Sequence, residues 1–274
     1  MRQQPVDLRG PHDLGSIVGL SYRLYARNFG ALFSIALIVV PVELLVGVLQ
    51  ARFPSDTAQS YISLLALPGV LVTLLATAAL IVAMHEITGG TKPEFSRALD
   101  TGFQRFGAML STVLLGGLLA VAALIAWPFL AIWWLLHPDA RIDGDRNWWL
   151  VLVPGVLAVY LSVRWVLTEQ TVMIEGRDRW SALDSSAAAV RGRWWRTLGI
   201  LVVIGLIQAG PLLIAGAAQA GPPIVAGGVT SIVSALVLPF AVTSQTLLYY
   251  DLKARLHDDA SADRLTPAEP DVSR

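Results

Sequence analysis

Cysteine is missing from all 274 positions. That removes thiol nucleophiles, cysteine-held metals and disulfides together. Charge is scarce as well: Asp, Glu, Lys and Arg make up 15% of the chain, where soluble proteins carry about 25%. The four histidines, His12, His85, His137 and His257, are scattered and form no ligand set. His85-Glu86 opens like a zinc-protease motif, but Gly89 stands where the second His belongs. No nucleophile elbow, Walker loop or dinucleotide fingerprint occurs. Asp139, Asp143 and Asp145 crowd the 137–147 loop without the Gly and Glu of an EF-hand. A solvated turn is the better reading. Neither catalysis, a cofactor, a metal nor a nucleic-acid partner is expected.

What the chain has is hydrophobicity, at 55% of its residues. A helix needs roughly 20 apolar residues to cross a bilayer. Six stretches qualify, at 30–50, 61–84, 107–136, 148–174, 196–218 and 222–250. The expected fold is an all-α membrane bundle of six transmembrane helices. Residues 1–12 form a short leading segment, 13–256 the membrane domain, and 257–274 a polar tail expected to be disordered. Nothing between the spans is long enough for a soluble domain. The first span is expected to act as an uncleaved signal anchor.

Net charge is zero, but its distribution is lopsided. All Lys and Arg except Arg52, Arg141, Arg146 and Arg164 fall in the N-terminus, the 85–106 and 175–196 loops or the tail. The positive-inside rule then puts both termini in the cytoplasm, and six spans agree. The lipid bilayer of a prokaryotic plasma membrane is the expected surroundings. Trp127, Trp133, Trp134, Trp148 and Trp149 fit one interfacial belt, and Trp180, Trp194, Trp195, Tyr249 and Tyr250 the other.

Three amphipathic segments each precede a pair of spans: 13–28, 94–106 and 180–194. In the second, Phe95, Ala98, Leu99, Phe103 and Phe106 share a helical face. The third sets Trp180, Leu183, Ala187, Val190 and Trp194 opposite Asp184, Ser185 and Arg191. The interval of roughly eighty residues suggests three repeats of one interfacial helix plus two spans. Arg23, Arg27, Arg97, Arg105, Arg191, Arg193, Trp194 and Trp195 are the expected interfacial anchors, with Arg reaching lipid phosphates.

Ionisable residues inside spans are costly, about 2.5–3.5 kcal/mol at the centre on insertion scales. Glu43 lies in the first span, after Pro41, and Arg164 in the fourth, with Glu169 five residues on. Counting about 1.5 Å per residue, Glu43 and Arg164 reach similar depths, so they could pair. Either the pair fixes packing or the three residues form an intramembrane polar site. Each span also carries one proline (Pro41, Pro68, Pro128, Pro154, Pro211, Pro239), able to kink it.

Three motifs carry a resemblance. They are Ser21-Tyr-Arg-Leu-Tyr-Ala-Arg-Asn-Phe-Gly30; Glu175 leading into Ala182-Leu-Asp-Ser-Ser and Arg193-Trp-Trp-Arg-Thr-Leu-Gly199; and Leu248-Tyr-Tyr-Asp-Leu-Lys-Ala-Arg255. Over residues 12–256 the chain resembles the membrane domain fused to some bacterial glycerophosphoryl diester phosphodiesterases. The resemblance implies a multi-span module of undefined role. The family's phosphodiesterase activity belongs to a catalytic domain that these residues do not contain. The expected role is an accessory or scaffold module acting on lipid, envelope or a membrane-protein partner. The alternative is a small transporter or permease with its site near Glu43 and Arg164. A water-lined cavity there would favour transport, and a packed interior the scaffold.

Overall fold

The computed structural model describes residues 13–53, 56–124 and 149–265. All regular structure among them is helical. In order come α1 (Leu14–Arg27), α2 (Phe29–Ala36), α3 (Val40–Arg52), α4 (Asp56–Thr88), α5 (Phe95–Leu124) and α6 (Trp149–Arg164). A helical turn, Thr168–Gln170, then runs into a π turn, Thr171–Glu175. The chain ends in α7 (Arg179–Val190), α8 (Trp194–Ala218) and α9 (Pro223–Leu265).

Among the described residues four helical stretches are long and apolar enough to cross a membrane: Phe29–Leu49, Leu67–Thr88, Trp194–Ala218 and Val225–Asp259. Much of their apolar surface faces outward. On α8, Val202, Leu206 and Leu213 form an exposed stripe, and Leu213 is 73% accessible. Such a stripe is a liability in water and normal against lipid. The expected 107–136 span lies partly outside the described residues. The expected 148–174 span is interrupted, because α6 stops at Arg164 and helix resumes at Thr168.

The first span is broken as well. Between α2 and α3, the amides of Ile38, Val39 and Val40 bond three residues back, to Ile35, Ala36 and Leu37. Pro41, in the first turn of α3, has no amide to donate, which suits a helix start rather than an interior. Glu43 falls in that first turn.

α9 is the organising element, packing against α1, α2, α3, α4, α7 and α8. The core lies near the basic end of the bundle. There Leu80, Ile81 and Met84 of α4 meet Leu247 and Leu248 of α9, all fully buried. Ala78, Ala79 and Ala83 keep α4 slim. A Cβ on Gly102 of α5 would come within 3.1 Å of the Ala79 amide nitrogen, so α4 and α5 approach backbone to backbone. With lipid as apolar as leucine, such close packing and internal hydrogen bonds supply the cohesion.

Two of the three expected surface helices are separate elements. α1 is capped at its start by Asp13, whose side chain accepts from the Ser16 amide at 2.9 Å, and it ends at Asn28. α7 starts with a capping box between Asp178 and Ser181. The second segment is not separate: α5 runs unbroken from Phe95 through residues 105–108 to Leu124. The tail expectation needs correction too. α9 continues as helix to Leu265, helped by ion pairs from Arg255 to Asp251 and from Arg193 to Asp259. Residues 1–12 and 266–274 lie outside the described residues.

Candidate functional site

Glu43 projects from the broken first span toward α9, where the Ser231 and Ser234 hydroxyls face its carboxyl group. Its Oε2 is buried and has no hydrogen-bond partner among the described residues. A cavity of about 530 Å³ opens beside it, walled by Val42, Val46, Val70 and Leu74, with Thr73, Gln219, Thr230 and Ser231 as its other polar groups. A smaller cavity, about 230 Å³, lies further along α8 and α9 toward the basic end, beside Gln208, Ser234 and Leu238. Glu43 and Thr73 line both.

This geometry has a local cause. α3 and α9 meet at a pair of glycines, where a Cβ on Gly47 would come within 3.3 Å of the Gly227 Cα. That contact draws the backbones together one turn from Glu43. The neighbouring valines and hydroxyls then fail to fill the space between α3, α4 and α9. Thr230, Ser231 and Ser234 share one face of α9 at helical spacing. Sequence reasoning passed over them, although polar residues spaced this way inside an apolar run are the signal that finds them.

Arg164 is not part of this site. Its guanidinium donates to the Tyr160 hydroxyl at 3.0 Å, and its carbonyl accepts from Ser186 of α7 at 3.0 Å. Among the described residues no ion pair joins it to Glu43. Glu169 sits apart in a third cavity of about 430 Å³ with Thr112, Ser162, Thr168 and Gln245. Depth counting puts Glu43 and Arg164 at similar heights. The breaks after Ala36 and Arg164 invalidate the uniform rise, and height says nothing of which side of a helix a residue occupies.

Residues of the second and third resemblance motifs converge on a different place, the basic end. Glu175 pairs with Lys253 at 2.6 Å and Arg177 at 2.8 Å. It also accepts from the Tyr249 hydroxyl at 2.8 Å and from Ser185. Burial pushes its carboxyl up, but Lys253, Tyr249 and Ser185 outweigh burial and hold it below its usual 4.5. Nearby, Asp251 is almost fully buried and pairs with Arg196 at 2.7 Å and Arg255 at 3.1 Å. These contacts tie the π turn, α7, α8 and α9 into one brace.

The anchors divide. Arg23, Arg27, Arg191 and Trp195 are exposed, and Trp195 is 78% accessible. Arg105 is turned inward instead. It donates to the Met173 carbonyl at 2.8 Å, over Gly176, whose φ of +71° a side chain would strain. Arg193 bonds Asp259 and the Arg255 carbonyl. Arg97 pairs with Glu86 and Glu94, and Trp194 stacks on Tyr160 and donates to its carbonyl.

Among the described residues no group of His, Asp and Glu is placed to hold a metal. Compared with protein-family models, with curated proteins and with solved structures, the chain matches none.

Proposed function

We propose that the chain is a six-span protein of a prokaryotic plasma membrane, both termini cytoplasmic, acting as a small transporter or permease without catalysis of its own. Its site is the Glu43 cavity, with no part for Arg164 or Glu169. One observation carries this reading: a buried carboxylate oxygen with no hydrogen-bond partner among the described residues borders a cavity inside a membrane-crossing stretch. Groups of that kind are expensive in apolar surroundings and mark solute or ion paths. The cavity also falls within the usual range for small-molecule sites, about 300–1,000 Å³.

The absence of cysteine makes the test direct. Val46→Cys and Thr230→Cys place a thiol in the cavity, and Leu213→Cys places one on the exposed face of α8. Thiols react with maleimides as thiolates, which form only where water reaches. In intact cells a charged, membrane-impermeant maleimide should label the two cavity positions and spare Leu213→Cys. If the cavity thiols are as unreactive as the lipid-facing one, the cavity is dry and transport falls.

The accessory or scaffold reading keeps one observation in its favour. The brace around Glu175 and Asp251 is well satisfied and joins four elements at one end. Residues of the second and third resemblance motifs build it, which suits a stand-alone copy of that membrane module. The three-fold repeat also stays a proposal. It is supported by the helix breaks at Asn28 and at Arg191–Arg193 and weakened by the unbroken α5.

A further inference from the structure

We propose that the Glu43 cavity takes a singly charged organic cation with apolar substituents, and that Glu43 holds either that cation or a proton, never both. The inference rests on the reading of the cavity as a solute site and adds the charge class of the solute.

Charge decides it. The walls come from α3, α4, α8, α9 and the residues flanking them, and among the described residues Glu43 is the one charged or titratable group that borders either cavity. The other polar groups are alcohols and amides: Thr73, Thr230, Ser231, Ser234, Gln208 and Gln219. These can hydrogen-bond but cannot neutralise a carboxylate. An anion in apolar surroundings needs a counter-ion or a proton. Among the described residues no cation stands here, so the ligand supplies it. An anionic solute would add a second negative charge beside Glu43 and is excluded on the same ground.

The apolar walls fix the rest of the ligand. Val42, Val46, Val70 and Leu74 offer contact area to hydrocarbon and nothing to a hydrated metal ion. The two stacked cavities add a path. Because Glu43 and Thr73 border both, a cation could pass from the larger cavity to the smaller while its counter-ion stays in reach. A proton arriving at Glu43 releases the cation, and the cation displaces the proton. Proton and solute are therefore linked with opposite sign.

The experiment uses the full chain in lipid nanodiscs, with tetraphenylphosphonium as the cation and triphenylphosphine oxide as its uncharged counterpart. Tetraphenylphosphonium should bind more tightly as pH rises, by up to about tenfold per unit where Glu43 is protonated in the empty protein. Glu43→Gln should weaken it by about tenfold or more and flatten the pH profile. The uncharged compound should bind weakly and without pH dependence. The wild-type pH series and the uncharged comparison stand even if the variant does not fold. Equal binding of both compounds, with no effect of Glu43→Gln, overturns the charge class and leaves the solute site standing. Binding of neither, together with unreactive cavity cysteines, overturns both.

Discussion

Glu175 illustrates how one residue can hold several elements. Its carboxylate gathers Lys253 and Tyr249 from α9, Ser185 from α7 and its near neighbour Arg177. Because these partners favour the charged form, its carboxyl lies below 4.5 in the folded protein. The sign follows from linkage: the unfolded chain takes up the proton first, so the contribution is complete above 4.5 and is lost as pH falls below it. Thermal unfolding in detergent across a pH series should therefore show an acid-side loss of stability that Glu175→Gln lacks. Parallel curves for the two proteins would show that the brace does not stabilise. Arg97 offers no such lever. It and Glu94 are both well exposed, and exposed pairs contribute about 0–1 kcal/mol. The sequence made all these residues visible as motifs, but not which of them would meet. A charged residue in a loop pattern looks the same whether it faces a phosphate, as Arg23 can, or a carbonyl inside the protein, as Arg105 does.

At the scale of elements, the α3–α9 contact at Gly47 and Gly227 sets the shape of the cavity. Gly47→Leu should wedge these helices apart and cost about 1–3 kcal/mol, the usual range for overpacking. Gly205→Ala is the matched control, because a Cβ there meets nothing within 4 Å; it should leave stability unchanged. Unfolding in mixed detergent would separate them, and equal stability of the two variants would mean that the contact does not matter. Helices were the legible part of this fold, since long apolar runs have no other stable form in a bilayer. Their breaks were less so: Pro41 pointed to one, and no residue in the 165–167 turn announced the other. Amphipathic patterning also misplaced α7. Ser185 belongs to its polar face by periodicity, yet it is buried and bonded to Glu175, and its neighbour Ser186 is buried and donates to the Arg164 carbonyl. Periodicity separates polar from apolar, and in a membrane protein lipid and protein interior are both apolar.

For the whole molecule, the number of crossings is decided at one position. Among the described residues four helical stretches meet the length and hydropathy of a span, and six spans are proposed. Both counts put residue 56 outside and the C-terminal end inside. They disagree on residue 143, which is outside with six spans and inside with four. A reporter fused at residue 143 should read external, and an internal signal there would reduce the bundle to four crossings.

α9 also has a place in time. It leaves the ribosome after every helix it touches, since α1, α2, α3, α4, α7 and α8 all precede it. Until it arrives, Leu80, Ile81 and Met84 of α4 lack Leu247 and Leu248, the Glu43 carboxyl lacks its two serines, and Glu175 lacks Lys253 and Tyr249. The nascent protein thus passes through a stage in which its least lipid-compatible groups have reached the membrane or its edge and are incompletely paired. That stage is the natural point for an insertase to hold it, or for a membrane protease to destroy it. Quality control of this chain therefore turns on whether its final helix is delivered.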